Sequence, residues 1–111
     1  MLKVTVAPTQ FYQDEVGVEL TFTITLNGEP VDMTYAEVTL EVDGNPNSPF
    51  DLNPTALGVA SYVTQVGDFS ANGAPTWQYA AHVKFISDIA DETFLSDEFS
   101  IYVVLKPTLT L

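Results

Sequence analysis

The sequence predicts an all-β protein with the fold of an Ig-like antiparallel β-sandwich of about seven strands. Segments of alternating apolar and polar residues recur along the chain, turn-forming residues separate them, and no segment shows the 3.6-residue period of a helix. Loops of unequal length favour two packed sheets. A single, partly closed barrel is the alternative, because a barrel satisfies the same alternation.

The length and composition fit one small domain. Of the 111 residues, 46% are hydrophobic and 12% are aromatic, which is enough apolar surface to fold in spite of a net charge of -12. We expect residues 1–106 to form a single domain and residues 107–111 to form a C-terminal extended tail. Because the chain contains no cysteine, disulfides, thiolate metal sites and cysteine nucleophiles are excluded.

The charge is strongly acidic, with 15 Asp and Glu residues against three lysines. Such a surface repels phosphate groups and anionic lipids, so we expect neither nucleic acid nor a membrane as partner. The simplest interpretation is a charged coat that keeps a β-rich protein from aggregating. A saline environment and a partner with a basic face are the alternatives. The N-terminal residues alternate in polarity and do not resemble a signal peptide, so we expect synthesis and assembly in a cytoplasm.

The clearest strand is predicted at residues 18–26. Its even-numbered positions are all apolar and alternate with Glu and Thr, so one face is apolar and the other is solvated. This pattern predicts a central strand. Asn27 and Gly28 follow it and readily adopt the positive φ angles of a tight hairpin, so we expect the chain to turn back towards Val31.

Five further strands are predicted by the same alternation, at residues 2–6, 37–43, 57–66, 76–85 and 94–105. The strands at 18–26 and 37–43 both carry acidic residues on their polar side and are expected to share an antiparallel sheet with one solvated face. The strand at 76–85 is expected to face 18–26 across the core, because its aromatic residues have the volume to fill the gap between two sheets.

The remaining segments are predicted to be connectors. Residues 10–17 are expected to form one, anchored by Phe11 and Tyr12. Three prolines within residues 44–54 argue against regular pairing there and predict a long loop. Gly58 is expected to mark a β-bulge, and Asp97-Glu98 to mark an irregularity within the last strand.

The search for catalytic chemistry is negative, and we predict no catalytic residue, no cofactor and no enzyme activity. His82 is the only histidine and lies on the polar side of its strand, where a solvated side chain is expected. Adjacent carboxylates in a strand point to opposite faces and do not form the facing pair that a glycosidase requires. The neighbouring pairs are Asp14-Glu15, Asp91-Glu92 and Asp97-Glu98.

No metal site is predicted either. The loop that begins at Asp43 departs from an EF-hand because its twelfth position is Pro54, where the bidentate Glu belongs. A Ca²⁺ site built from Asp43, Asp51 and Asn53 remains open beside the simpler interpretation, a solvated loop.

Four aromatic residues fall in predicted loops or on outward positions of strands. Exposed aromatic side chains at one end of a sandwich can stack on sugar rings or anchor a protein partner. The simpler interpretation is that they pack beneath their loops. These residues are Tyr35, Phe50, Phe69 and Tyr102.

The C-terminal tail is the other candidate interaction element. The segment Thr108-Leu109-Thr110-Leu111 alternates, is strongly β-prone and carries no charged side chain. A free segment of this kind is an aggregation hazard, so we expect it to pair with a sheet edge, either in its own domain or in a neighbouring subunit.

Four segments carry turn and core signals, at residues 26–34, 58–62, 67–69 and 77–79. Together they resemble the small Ig-like domains of tailed-bacteriophage virion proteins. The pattern is similar to that of the N-terminal domain of phage baseplate upper proteins, over roughly residues 16–105. The resemblance implies a non-enzymatic virion protein, either an accessory capsid-decoration protein or a small tail, neck or baseplate component. Its partners would be other virion proteins, with many copies or a homo-oligomer on the particle. The alternative function is a carbohydrate-binding or cell-surface-binding module.

Overall fold

The computed structural model describes residues 2–34, 36–87 and 92–105. In this part of the chain every regular element is a β-strand, and there are eleven of them. The strands are β1 (Leu2–Ala7), β2 (Gln10–Tyr12), β3 (Glu19–Leu26), β4 (Glu29–Pro30), β5 (Ala36–Val42), β6 (Phe50–Asp51), β7 (Asn53–Ala56), β8 (Val59–Val63), β9 (Thr76–Ser87), β10 (Glu92–Leu95) and β11 (Phe99–Val104).

The strands form two sheets that pack as a sandwich. The first sheet has the order β1-β3-β8-β7, with β4 paired to β3, and the second has the order β2-β11-β9-β5-β6, with β10 paired to β9. This is the strand order of an Ig-like sandwich. Without the short strands β2, β4, β6 and β10, seven main strands remain. The first, second, fourth and fifth of these form one sheet, and the third, sixth and seventh form the other. The predicted fold class is confirmed. The number of strands exceeds seven because short edge strands are added and one predicted strand is divided.

The predicted central strand is confirmed as β3, which pairs with β1 on one side and with β8 on the other. Leu20, Phe22 and Ile24 are fully buried. The hairpin that follows is also confirmed, because Asn27 has a φ of 52° and Gly28 a φ of 85°, and β4 pairs back onto the end of β3.

The expectation that residues 18–26 and 37–43 share a sheet is wrong. β3 belongs to the first sheet, and β5 pairs in the second sheet with β9. Between them the chain crosses the core, with Val31 and Met33 buried on the way. Alternation fixes which side of a strand is buried, but it does not select the neighbouring strand.

The second sheet is built on β9, which pairs with β5 along one side and with both β11 and β10 along the other. Tyr79, Ala81 and Val83 of β9 are buried, as predicted, whereas Trp77 on the same side of the strand has 41% of its surface exposed. Across the core, the ring of Phe22 on β3 lies 6.2 Å from that of Phe99 on β11. The expected placement of residues 18–26 and 76–85 on opposite sides of the core is therefore confirmed.

The last predicted strand is divided in two. Residues 94–105 were expected to form one strand, but β10 and β11 are separated at residues 96–98. Ser96 holds the chain at this break, since its backbone N–H donates to the Val83 carbonyl and its hydroxyl accepts from the Val83 N–H at 2.8 Å. The irregularity predicted at Asp97-Glu98 is confirmed in position.

Two predicted connectors contain strands. Residues 10–12 form β2, which runs parallel to β11 at the edge of the second sheet. Within the predicted loop at 44–54, residues 50–51 form β6 and β7 begins at residue 53. Pro54 is tolerated in β7 because that strand lies at the edge of the first sheet.

Gly58 has a different role from the one predicted. It lies in the turn between β7 and β8 with a φ of 72°, whereas the register shift falls between Pro54 and Ala56. A Cβ atom at Gly58 would lie 2.8 Å from the Cβ atom of Pro30. Glycine is therefore required here both by the backbone angle and by the close approach of the β4 segment.

Candidate interaction surface

The predicted aromatic surface is only partly exposed. Phe50 and Phe69 have 5% and 3% of their surface exposed, so the prediction that they present rings to a partner is wrong. Their rings stack with centroids 5.0 Å apart, and Phe11 meets Phe69 edge-on at 5.1 Å. The alternative interpretation, packing beneath the loops, is confirmed for these two residues.

Polar contacts hold the loop at residues 64–75 over this aromatic cluster. The Tyr62 hydroxyl donates to the carboxylate of Asp68, and that carboxylate also accepts from the backbone N–H of Gln65 at 2.8 Å. Asn45 is buried and donates from its side chain to the Asp68 carbonyl at 2.9 Å. Burial, the hydrogen bond to Asp68 and the negative charge of Asp68 raise the pKa of Tyr62 well above its ordinary range.

A second tyrosine closes the same loop. The hydroxyl of Tyr79 donates to the Ser70 carbonyl at 2.6 Å. A tyrosine near the start of this strand that bonds back to the preceding corner is a recurrent feature of Ig-like sandwiches. The alternation of residues 76–85 predicts Tyr79 on the buried side of the strand but gives no sign of this bond. The bonds of Tyr62 and Tyr79 therefore fix this loop against the sandwich.

Tyr102 is the predicted aromatic residue that the structure leaves exposed, with 36% of its surface accessible. Tyr102 lies on β11, which runs between β2 and β9, and its side chain is on the outer face of the second sheet. Its neighbours across the strands are Gln10 of β2 and Gln78 of β9. The outward residues around it share one property, which is that none carries a charge. We call this surface the charge-free face: Gln10 and Tyr12 of β2; Thr76, Gln78 and Ala80 of β9; and Ser100, Tyr102 and Val104 of β11.

The charge-free face combines aromatic and amide side chains. Tyr12 has 45% of its surface exposed, and Gln78 donates from its amide to the Ser100 hydroxyl at 2.7 Å. Tyrosine and uncharged polar groups on a surface depleted of charge are the composition of protein–protein interfaces. The sequence carried this signal, since the alternation already placed the even positions of 76–80 and 100–104 outward. These positions form one surface only because β2, β11 and β9 are paired side by side, and alternation within a strand does not predict that pairing.

Charges lie at the margins of the face: a carboxylate oxygen of Glu15 accepts from the backbone N–H of Tyr12 at 3.0 Å, and further charges begin where the face meets β5. There the imidazole Nε2 of His82 lies 2.9 Å from a carboxylate oxygen of Glu41, directly across the two strands. The sequence analysis expected a solvated His82, whereas the structure gives it this partner and leaves it partly buried. The outer face of the first sheet is less uniform, because Lys3 and Glu19 lie among its threonines.

A shallow groove of about 630 Å³ lies elsewhere, beside the edge strand β7. Among the described residues of its lining, Asp32 is the one with a titratable side chain. The side-chain hydroxyl and the backbone N–H of Thr34 both donate to the Asp32 carboxylate and lower the pKa of Asp32. These bonds are those of a local turn.

The metal-site alternative gains no support from the geometry. Asp51 lies in β6 of the second sheet, Asn53 lies in β7 of the first sheet, and Asp43 follows β5. Within residues 2–34, 36–87 and 92–105, no three His, Cys, Asp or Glu side chains come together as metal ligands. Nor does this part contain a helix that could cross a membrane.

Five predicted interaction residues lie outside the described part of the chain. The pairing of the C-terminal tail with a sheet edge therefore stays a prediction. These residues are Tyr35, Thr108, Leu109, Thr110 and Leu111.

No protein-family model and no curated protein matches this chain. Among solved structures, superoxide reductase (neelaredoxin) from Ignicoccus hospitalis is similar at 11% sequence identity and a TM-score of 0.43. The match covers 94% of this chain and 80% of that one. A likeness at this level carries no argument about the activity or ligands of this chain.

Proposed function

We propose that this chain is a non-enzymatic structural protein of a tailed-phage virion. It acts through protein–protein contacts, as an accessory capsid-decoration protein or as a small tail, neck or baseplate component. The sequence resemblance to Ig-like virion domains supports the setting. The charge-free face, on a protein with a net charge of -12, is the observation that carries the binding role.

The shape of the surface favours a protein partner. The charge-free face consists of the outward side chains of three adjacent strands, so it is broad and not enclosed. Small-molecule sites are concave and bury most of their ligand. Proteins bind each other through flatter patches in which a few tyrosines supply much of the binding energy. Tyr102 and Tyr12 are the residues of this kind on the face.

The carbohydrate-binding alternative loses part of its basis. It required several aromatic rings exposed at one loop end, and Phe50 and Phe69 are buried there. Tyr102 lies instead on the outer face of the sheet, among β-strand neighbours. We therefore retain the structural role as the proposed function.

Mass spectrometry of purified virions tests the proposal directly. We expect the protein to remain with particles through density-gradient purification, with a fixed copy number per particle. A copy number that scales with the capsid lattice indicates decoration, and a low copy number indicates a tail or neck position. Recovery of the protein only in the soluble lysate, with none on intact particles, contradicts the proposal.

The binding surface is tested with two matched variants. Tyr102→Glu places a negative charge in the charge-free face, and we expect it to reduce incorporation into particles. Thr23→Glu places the same charge on the exposed outer face of the first sheet and is expected to leave incorporation unchanged. If both variants are incorporated equally, the charge-free face is not the surface through which the protein binds the particle.

A further inference from the structure

We propose that the charge-free face is a homodimer interface and that its occupant is a second copy of this chain. The inference deepens the proposed function, since it uses the same surface and names the partner. In a two-fold dimer, identical patches meet, so a surface that is to contact itself has to be self-complementary. An uncharged patch meets this condition.

The charge distribution selects this face for self-association. Two copies that each carry a net charge of -12 repel each other, and juxtaposed like charges in a contact are strongly unfavourable. The charge-free face brings none of the 15 acidic side chains into the centre of a contact. The outer face of the first sheet places Glu19 within it, and the loop end near Asp14 and Asp68 is acidic. A basic partner would instead be attracted to those acidic surfaces.

Tyr102 lies at the centre of the proposed contact. It occupies the middle strand and is flanked by Gln10 on one side and Gln78 on the other. A two-fold axis that passes near Tyr102 brings its ring against that of the second copy, with glutamine amides around it. Central aromatic residues that are surrounded by near-neutral polar contacts are the usual energetic core of an interface.

The size of the face predicts a weak dimer. Three strands about 4.8 Å apart and five residues of about 3.4 Å each give a patch of roughly 14 by 17 Å. The patch covers roughly 240 Å² per copy, well below the about 800 Å² per partner of a standard interface, so association through it is weak and transient. The dimer is therefore expected at high protein concentration, such as the local concentration that many copies on one particle provide.

Sedimentation equilibrium of the purified full chain tests the inference, with concentrations up to about 1 mM. We expect a monomer–dimer equilibrium that strengthens several-fold as salt rises from about 0.05 M to about 0.5 M, because salt screens the repulsion between two acidic copies. A protein that stays monomeric throughout overturns the inference. So does a dimer that weakens with salt, because that behaviour indicates attraction between opposite charges.

Three variants locate the contact. Tyr102→Glu is expected to lower the association constant by about tenfold or more. Thr23→Glu adds the same charge on the opposite outer face and is expected to change it much less. Tyr102→Gln removes the ring without adding charge and is also expected to weaken association. Equal association of Tyr102→Glu and Thr23→Glu, with both variants folded by circular dichroism, overturns the proposed interface.

The test separates this inference from the proposed function. A protein that is found on purified virions but is monomeric at every salt concentration contradicts the homodimer alone and indicates that another virion protein covers the face. A salt-strengthened dimer that is absent from virions contradicts the virion role alone.

Discussion

The hydroxyl of Tyr79 donates a hydrogen bond of 2.6 Å to the carbonyl oxygen of Ser70, nine residues earlier in the chain. The bond ties β9 to the loop that precedes it. Since Tyr79 is buried, its removal leaves the Ser70 carbonyl without this donor. We expect Tyr79→Phe to lower the free energy of unfolding by about 1–2 kcal/mol, measured by urea denaturation.

The matched control for this variant is Tyr12→Phe, because the Tyr12 ring lies on the exposed outer face of β2. Its effect is expected to stay within about 0.5 kcal/mol, as for most surface substitutions. Equal free energies of unfolding for both variants would show that the Tyr79 bond does not contribute to stability.

The contact between Tyr62 and Asp68 predicts a loss of stability at alkaline pH. Burial, followed by the hydrogen bond and the charge of Asp68, raises the pKa of Tyr62 above the ordinary tyrosine value of 10.0. Above about pH 10 the unfolded chain ionises at this tyrosine while the folded protein does not, so stability falls as pH rises. Thermal melts from about pH 8 to about pH 11 should show a smaller decline for Tyr62→Phe than for the native chain.

At neutral pH the Tyr62→Phe variant is expected to be less stable than the native chain, by about 1 kcal/mol for the lost hydrogen bond. An identical alkaline decline in both proteins would rule out Tyr62 as a source of the pH dependence. Tyr12→Phe serves again as the control, with a decline that follows the native chain.

Gly58 offers a prediction in which two causes can be separated. Gly58→Ala combines a positive φ with a Cβ contact of 2.8 Å to Pro30, whereas Gly73→Ala has a φ of 79° and nothing within 4 Å. We expect Gly73→Ala to cost about 1 kcal/mol for the backbone angle alone. Gly58→Ala should cost clearly more, about 2–3 kcal/mol by denaturant unfolding. Similar costs at the two positions would contradict the close approach.

The burial of Phe69 is tested by Phe69→Ala. Its ring contacts those of Phe11 and Phe50 at centroid distances of 5.1 and 5.0 Å, so its removal leaves a cavity in the core. We expect a loss of about 3–5 kcal/mol in the free energy of unfolding. Tyr102→Ala, measured at a concentration at which the protein is monomeric, should cost about 1 kcal/mol or less. A small effect of Phe69→Ala would support the exposed position that the sequence suggested.

Local patterns explain what the sequence predicted well. The alternation at 18–26 determines which side chains of β3 are buried, and the Asn27-Gly28 pair determines the hairpin, because both effects act between neighbours along the chain. The same holds for the inward side chains of β9. Even the break at Asp97-Glu98 was visible as a local irregularity.

Contacts between distant segments explain the errors. Phe50 and Phe69 looked like loop residues, and their burial follows from packing against each other and against Phe11, which no local pattern records. The strand β2 exists because β11 provides a parallel partner some 90 residues later. Pro54 argued against a strand, yet it fits at the edge of a sheet.

The pairing of β2 with β11 also bears on how the chain folds during synthesis. The second sheet pairs residues 10–12 with residues 102–104, and its middle strand, β9, begins only at residue 76. A nascent chain on the ribosome therefore exposes the apolar side of β5 until the later strands have emerged. Domains dominated by such distant pairings fold slowly, on timescales of about milliseconds to seconds.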